Sequence, residues 1–219
     1  MNGALPIELA GEQVWLLPQK ALYWPRERML VIADIHFGKA ASFRALGVPV
    51  PAGTTRQNLE ALDDLLALHA ARQVLFLGDF LHAKAAHAES TLAALDAWRL
   101  SHPALRLAVV RGNHDAHAGD PPTRLAIEMF DEPCLQGPFA FCHHPDLLAP
   151  GYLMAGHVHP VYRLRVGWET LRLPCFLAGE GRIVLPAFGA FTGGHPIVPQ
   201  PGERLFVSSG DAVLEVPLS

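Results

Sequence analysis

The chain has 219 residues, half of them hydrophobic, enough for one large α/β domain with a well-buried core. Its net charge is −4 with the charges scattered, so neither a disordered charged tail nor a general basic nucleic-acid surface is expected; a nuclease is not excluded, because bound metal can supply positive charge. No apolar run approaches the ~18 residues that would span a membrane, and the start Met1-Asn2-Gly3-Ala4-Leu5-Pro6 has neither the basic nor the apolar part of a signal peptide.

Strand-like runs come first, at Gln13–Leu17, Ala21–Trp24 and Met29–Ala33. A helix is predicted from Thr54 to Ala70, with Leu59, Leu62, Leu65, Leu66 and His69 at three- and four-residue spacing. Thr54 with Gln57 has the form of a capping box at its start. Gln73–Leu77 reads as a strand, Glu89–Leu100 as a second helix, and Leu105–Val110 as another strand. Beyond about residue 133 only short strands are predicted: Pro138–Cys142, Tyr152–Ala155, Tyr162–Val166, Arg182–Pro186, Leu205–Ser208 and Ala212–Val216. The first half thus reads as βαβαβ units and the second as an antiparallel meander. Two mixed sheets packed face to face, with flanking helices, accommodate both. With no linker, repeat or low-complexity tract, residues 1–219 are expected to form one domain. Cys134, Cys142 and Cys175 are odd in number and form no CxxC pair, which points to a reducing cytoplasm.

Five of these apolar runs end in the same chemistry. Met29–Ala33 leads into Asp34-Ile35-His36, Val74–Leu77 into Gly78-Asp79, and Leu107–Val110 into Arg111-Gly112-Asn113-His114-Asp115. Phe139–Cys142 leads into His143-His144, and Leu153–Ala155 into Gly156-His157-Val158-His159. Ligands of open α/β sheets bind outside the carboxyl ends of the strands. In Asp34-x-His36 and His157-x-His159, alternate residues of an extended chain would face the same ion. Carboxylate, imidazole and amide oxygen without thiolate suit Mn, Fe or Zn. Asp34, His36, Asp79, Asn113, His143, His157 and His159 make seven candidate ligands, too many for one ion and enough for two that share Asp79.

These motifs, DxH, GDxx, GNHD, a lone His and GHxH in that order, resemble those of the calcineurin-like metallophosphoesterases over about residues 29 to 210. The resemblance implies that Asp34, His36, Asp79 and His159 hold one ion, and Asp79, Asn113, His143 and His157 the other. Either of the adjacent His143 and His144 could be the ligand; His143, directly after its strand, is favoured. His114 would contact the phosphate or protonate the leaving group, with Asp115 orienting it. The implied reaction is attack on phosphorus by a metal-bridging hydroxide, with two divalent cations as cofactors, manganese foremost.

"HFGKAASFRALGVPVPAGTT", "GDFLH" and "LPAFGAFTGG" look like the ligase-associated DNA damage response endonuclease subfamily. That narrower likeness implies a phosphodiesterase or endonuclease in DNA repair, with DNA as substrate and DNA ligase or helicase partners. A small-molecule phosphatase, a cyclic-nucleotide phosphodiesterase and a scaffolding subunit of a repair complex are the alternatives. Lys39 and Arg44 are expected on the loop after the first motif, as phosphate-binding cations. Phe43 there either stacks on a base or anchors the loop. His82 is read as an exposed helix-entry residue, and His69, His102 and His117 as structural.

Overall fold

A computed structural model describes residues 3–50 and 53–218. Its first sheet has seven strands in chain order: β1 (Leu5–Leu9), β2 (Glu12–Leu17), β3 (Ala21–Trp24), β4 (Met29–Ala33), β5 (Gln73–Leu77), β6 (Arg106–Val110) and β7 (Ile127–Phe130). The strands β1 to β4 run antiparallel, and β4 to β7 run parallel. The parallel part is connected through the helices α1 (Lys39–Ala45), α2 (Thr54–His69), α3 (Glu89–Ser101) and α4 (Asn113–Ala118). The second sheet has nine strands: β8 (Cys134–Gln136), β9 (Phe139–Phe141), β10 (Tyr152–Ala155), β11 (Pro160–Val166), β12 (Glu169–Ala178), β13 (Arg182–Val184), β14 (His195–Pro196), β15 (Arg204–Ser208) and β16 (Val213–Val216).

The alternation of side chains explains why the central strands are apolar on both faces. Leu30 and Ile32 of β4, Val74 and Phe76 of β5, and Leu107 and Val109 of β6 join Leu62, Leu65 and Trp98 of the helices in one core. Their neighbours Val31, Ala33, Leu75, Leu77 and Val110 face the other way, onto Phe139, Phe141, Phe176 and Phe206 of the second sheet. A strand buried on both sides has no polar face, and an unbroken apolar run is the result. The expected sandwich of two mixed sheets with helices outside is therefore the observed architecture.

Several local expectations need correcting. The second sheet is not a meander: β9 and β13 both lie parallel to β10. That arrangement directs the carboxyl ends of β9 and β10 to the same edge. Residues 39–45 form a helix rather than a loop. The helix α2 has no capping box at Thr54; its N-cap is Gly53 in the left-handed region, without a side-chain cap bond, and Thr54 is already helical. The strands β1, β7, β8, β12 and β14 and the helix α4 are not evident from sequence pattern. Among the described residues, no helix is long and apolar enough to cross a membrane, and Cys134, Cys142 and Cys175 are all unpaired.

Candidate metal centre

The carboxyl ends of β4, β5 and β6 meet those of β9 and β10 at one edge of the sandwich. Backbone bonds tie the junction: Gly156 N–H donates to the His143 carbonyl (3.1 Å), and Phe188 N–H to the Ala33 carbonyl (2.8 Å). Asp34, His36, Asp79, His157 and His159 all have positive φ, between 49° and 69°. The segments carrying them are thus not extended, as the alternation rule assumed. Each chain leaves its strand and folds back through a left-handed residue. For a non-glycine residue this costs about 1–2 kcal/mol, and such strain concentrates at functional sites.

Two clusters result. Asp34, His36, Asp79 and His159 converge in one, and His143, His144 and His157 in the other. In the first, His36 Nε2 lies 3.4 Å from His159 Nε2 and 3.7 Å from Asp79 Oδ2. Asp34 Oδ2 accepts the His157 N–H at 2.9 Å. Asp34 Oδ1 is buried with no hydrogen-bond partner, facing His159 Nε2 at 3.4 Å and His143 Nδ1 at 3.7 Å. A buried carboxylate oxygen without a donor is costly, and a bound cation would remove that cost.

The second cluster makes the same point through tautomers. His143 Nδ1 faces the Leu77 carbonyl at 3.0 Å, so it carries the proton. The lone pair of the neutral ring is then on Nε2, 2.9 Å from Asn113 Oδ1 and 2.9 Å from His157 Nδ1. In that tautomer the nitrogen and the amide oxygen are both acceptors, an arrangement that suits two ligands of one cation. Asp79 reaches both clusters, with Oδ2 beside His36 and Oδ1 3.6 Å from His143 Nε2. The donor set therefore fits two divalent ions, with Asp79 within reach of both clusters.

Burial opposes charge on two of these imidazoles. Burial pushes His36 far below its usual pKa, with Lys39 and His159 adding to the effect. Burial also lowers His157, next to His143 and His144. Burial holds the Asp79 carboxyl above the usual carboxylate range, against the pull of His143. The close packing needs glycine. A Cβ on Gly112 would stand 2.5 Å from Asp79 Oδ1, and one on Gly156 2.7 Å from Asp34 Oδ2.

All seven sequence-predicted ligands and His114 are at this edge. His114 N–H donates to Asp79 Oδ1 (2.9 Å), while its ring is partly exposed, with Nδ1 2.7 Å from the His82 carbonyl and Nε2 4.0 Å from Asp79 Oδ2. The Asp115 side chain bonds elsewhere than to that ring. The buried Asp115 carboxylate accepts the Leu81 N–H through Oδ1 and the Gly112 N–H through Oδ2, both at 3.0 Å. It caps α4 and clamps the GNHD segment to the GDxx segment.

His82 is not the exposed residue expected from its position. It is half-buried in the site, stacked on His114 (centroids 4.7 Å, 23°), with Nδ1 3.4 Å from His36 Nδ1. Burial, with Lys39 and His114 nearby, lowers its pKa to about 4. Its spacing of three from Asp79 is the signal that the sequence offers. Glu132 leaves no such signal: its Oε2 accepts the N–H groups of His143 (2.8 Å) and His144 (3.0 Å), and its Oε1 lies 2.6 Å from His144 Nδ1.

Lys39 is half-buried at the start of α1, its ammonium pKa lowered by burial and raised by Asp79 and Asp34. Arg44 is exposed five residues on, about 140° around the helix, so the two do not share a face. Phe43 packs edge-on to Phe191 (5.7 Å) and 6.1 Å from His82, which anchors α1 beside the centre. His69 lies among Tyr23 and Trp15, His102 Nδ1 faces the Trp98 carbonyl, and His117 Nδ1 the Asn113 carbonyl; none of the three joins the site.

A profile of calcineurin-like phosphoesterases matches residues 27–176. Among solved structures, the nuclease MPE of Pseudomonas putida is 46% identical, with 97% of this chain and 100% of that chain covered and a TM-score of 0.85. A protein of unknown function from Aquifex aeolicus is 20% identical (60% and 78% covered, TM-score 0.42). The phosphoesterase Yfce of E. coli is 14% identical (86% and 97% covered, TM-score 0.39). No curated protein matches the chain.

Proposed function

Since the chain belongs to the calcineurin-like phosphoesterase family and is accordingly a metal-dependent phosphoester hydrolase, we propose that it is a phosphodiesterase that cleaves DNA strands internally, in DNA repair. The proposal takes residues 1–219 as one catalytic domain working in the reducing cytoplasm, alongside DNA ligase or helicase partners. The observation that carries it is the opposed lone pairs of His143 Nε2 and Asn113 Oδ1 beside the unpartnered Asp34 Oδ1, a donor arrangement that calls for cations. The nuclease identity of the 46% relative supports the choice of a nucleic-acid diester.

Asp34, His36, Asp79 and His159 would hold one ion, and Asp79, Asn113, His143 and His157 the other, with His144 adjoining the second group. Such ions, when bound, supply Lewis acidity that neutralises phosphate oxygens and lowers the pKa of water. Manganese is the proposed metal, since the imidazole-rich donor set disfavours Mg²⁺, which prefers oxygen ligands and retained water.

The remaining chemistry falls to the chain itself. His114 is pinned through Nδ1 to the His82 carbonyl, which leaves Nε2 as the ring nitrogen on the cleft side. A protonated Nε2–H there donates to the departing alkoxide oxygen. Lys39, held beside the carboxylates by α1, meets a non-bridging phosphate oxygen; Arg44, on another face, contacts phosphates farther along the strand.

The test is chelator-stripped protein, resupplied with Mn²⁺ or Mg²⁺, on circular single- and double-stranded DNA, cyclic nucleotides and nitrophenyl phosphomonoesters. Nicking of circular DNA, abolished by chelator and restored best by Mn²⁺, is expected, since a circle has no ends for an exonuclease. Intact circles with turnover of cyclic nucleotides or monoesters would replace the proposal with a small-molecule phosphoesterase.

A further inference from the structure

The hairpin of β11 and β12 starts one residue after the candidate ligand His159 and runs away from the site as far as Val166 and Glu169. Its register places Arg163 directly opposite Arg172, and Arg165 opposite Thr170, so Arg163, Arg165 and Arg172 share one face. Like charges directly opposite one another destabilise an antiparallel pair. The only carboxylate in the hairpin, Glu169, opposes Val166 on the other face. Among the described residues, no carboxylate lies within 4.0 Å of these three guanidinium groups, whereas Arg56, Arg106, Arg111, Arg124, Arg182 and Arg204 each face one. Arg172 donates to the Gly194 carbonyl, which leaves the rest of its fork available. In a chain of net charge −4, this is a cationic strip without counter-ions.

The tip adds an aromatic. Trp168 is fully exposed, and Val166 and Leu171 beside it are 54% and 41% exposed. No ring or cation lies against Trp168 among the described residues. A cationic track next to an unpartnered aromatic is the combination that binds single-stranded nucleic acid, with guanidinium groups on phosphates and the indole stacked on an unpaired base. The dimensions agree: Arg163 and Arg165 stand about 7 Å apart along the strand, and Arg163 about 13 Å from His159, at ~3.3 Å per residue.

We propose that the β11–β12 hairpin is a docking arm for a single-stranded nucleic acid, with Arg163, Arg165 and Arg172 on the phosphates and Trp168 on a base, feeding the strand to the metal centre. The proposal rests on the phosphodiesterase reading of that centre. Binding is read by fluorescence anisotropy of labelled oligothymidylate with the full chain in chelator, over a range of salt concentrations. Turnover of bis(nitrophenyl) phosphate, too small to reach the hairpin, is read separately with Mn²⁺. For R163Q/R165Q, affinity should fall on the order of tenfold, and the slope of log affinity against log salt should become shallower by about 1.4, at ~0.7 for each phosphate no longer neutralised. W168A should also weaken binding on the order of tenfold, with the salt slope unchanged. Small-diester turnover should stay at the wild-type level in both. Wild-type affinity and slope in both variants would overturn the arm. Wild-type affinity combined with a drop from dimer to monomer mass in light scattering of W168A would overturn it in favour of an interface between copies. Loss of small-diester turnover in the wild-type protein would overturn the reading of the centre, while the metal-free binding data still decide the arm.

Discussion

Asp115→Asn separates a structural clamp from a catalytic partner. The buried carboxylate accepts two backbone N–H groups, from Leu81 and Gly112, each at 3.0 Å, and no bond joins it to the His114 ring. An asparagine retains one acceptor oxygen and turns an NH2 group toward the second N–H. One charge-assisted bond, about 1.5–3 kcal/mol, is lost, and a buried donor is left unsatisfied at a cost of about 1–3 kcal/mol. A loss of about 3 kcal/mol is therefore expected. In a chain of this length it lowers Tm by about 6–12 °C. Denaturant unfolding of the metal-free chain gives the energy, and calorimetry gives Tm. Activity should fall by a similar factor on good and poor leaving groups, because the defect is in loop placement. Unchanged stability with a loss confined to poor leaving groups would refute the clamp and restore Asp115 as the residue that tunes His114.

His114→Ala should keep both metals and the fold but lose about 10²–10⁴ in turnover on an alkyl diester. On a nitrophenyl diester, whose leaving group needs no proton, the loss should be much smaller; a uniform loss would place His114 in phosphate binding. Asp79→Ala should lower metal content at both positions and His36→Ala at one, by elemental analysis of the purified proteins; two retained ions in Asp79→Ala would remove the bridge. Burial lowers the Lys20 ammonium to about 8, with Nζ donating to the Phe188 carbonyl (2.7 Å). The folded chain then binds fewer protons than the unfolded chain between about pH 8 and the ordinary lysine value, so this residue makes stability rise with pH across that window. Tyr152 and the buried cysteines shift in the opposite sense. The measurement is therefore the wild-type minus Lys20→Met difference in denaturant stability, which should increase toward high pH; a flat difference counts against it.

Sequence alone brought the candidate ligands into view, because their motifs follow strands whose burial on two faces leaves an unmistakable apolar run. Asp34, Asp79, Asn113, His143 and His157 could be found by asking only which residues lie within three positions of the end of such runs. The two-sheet sandwich was equally legible, since βαβ patterning and a run of short strands leave few other ways to cover both halves. What pattern could not supply depends on contacts distant in the chain. The helix α1 has no long apolar period, and it is held by packing such as Phe43 on Phe191. The strands β9, β10 and β13 look alike whether paired parallel or antiparallel, because both faces are covered. The rule of alternate residues joins Asp34 with His36 but fails for His157 and His159, which fall in different clusters; left-handed residues at all four positions, not extended chain, set where each side chain goes. Tertiary structure also reassigned the supporting residues. Asp115 adjoins His114 in sequence, yet its carboxylate is taken by backbone donors from two segments, one of them 34 residues away. His82 and Glu132 enter the site only because β4, β5, β7 and β9 carry their carboxyl ends to one edge, where short-range sequence order no longer determines which groups meet.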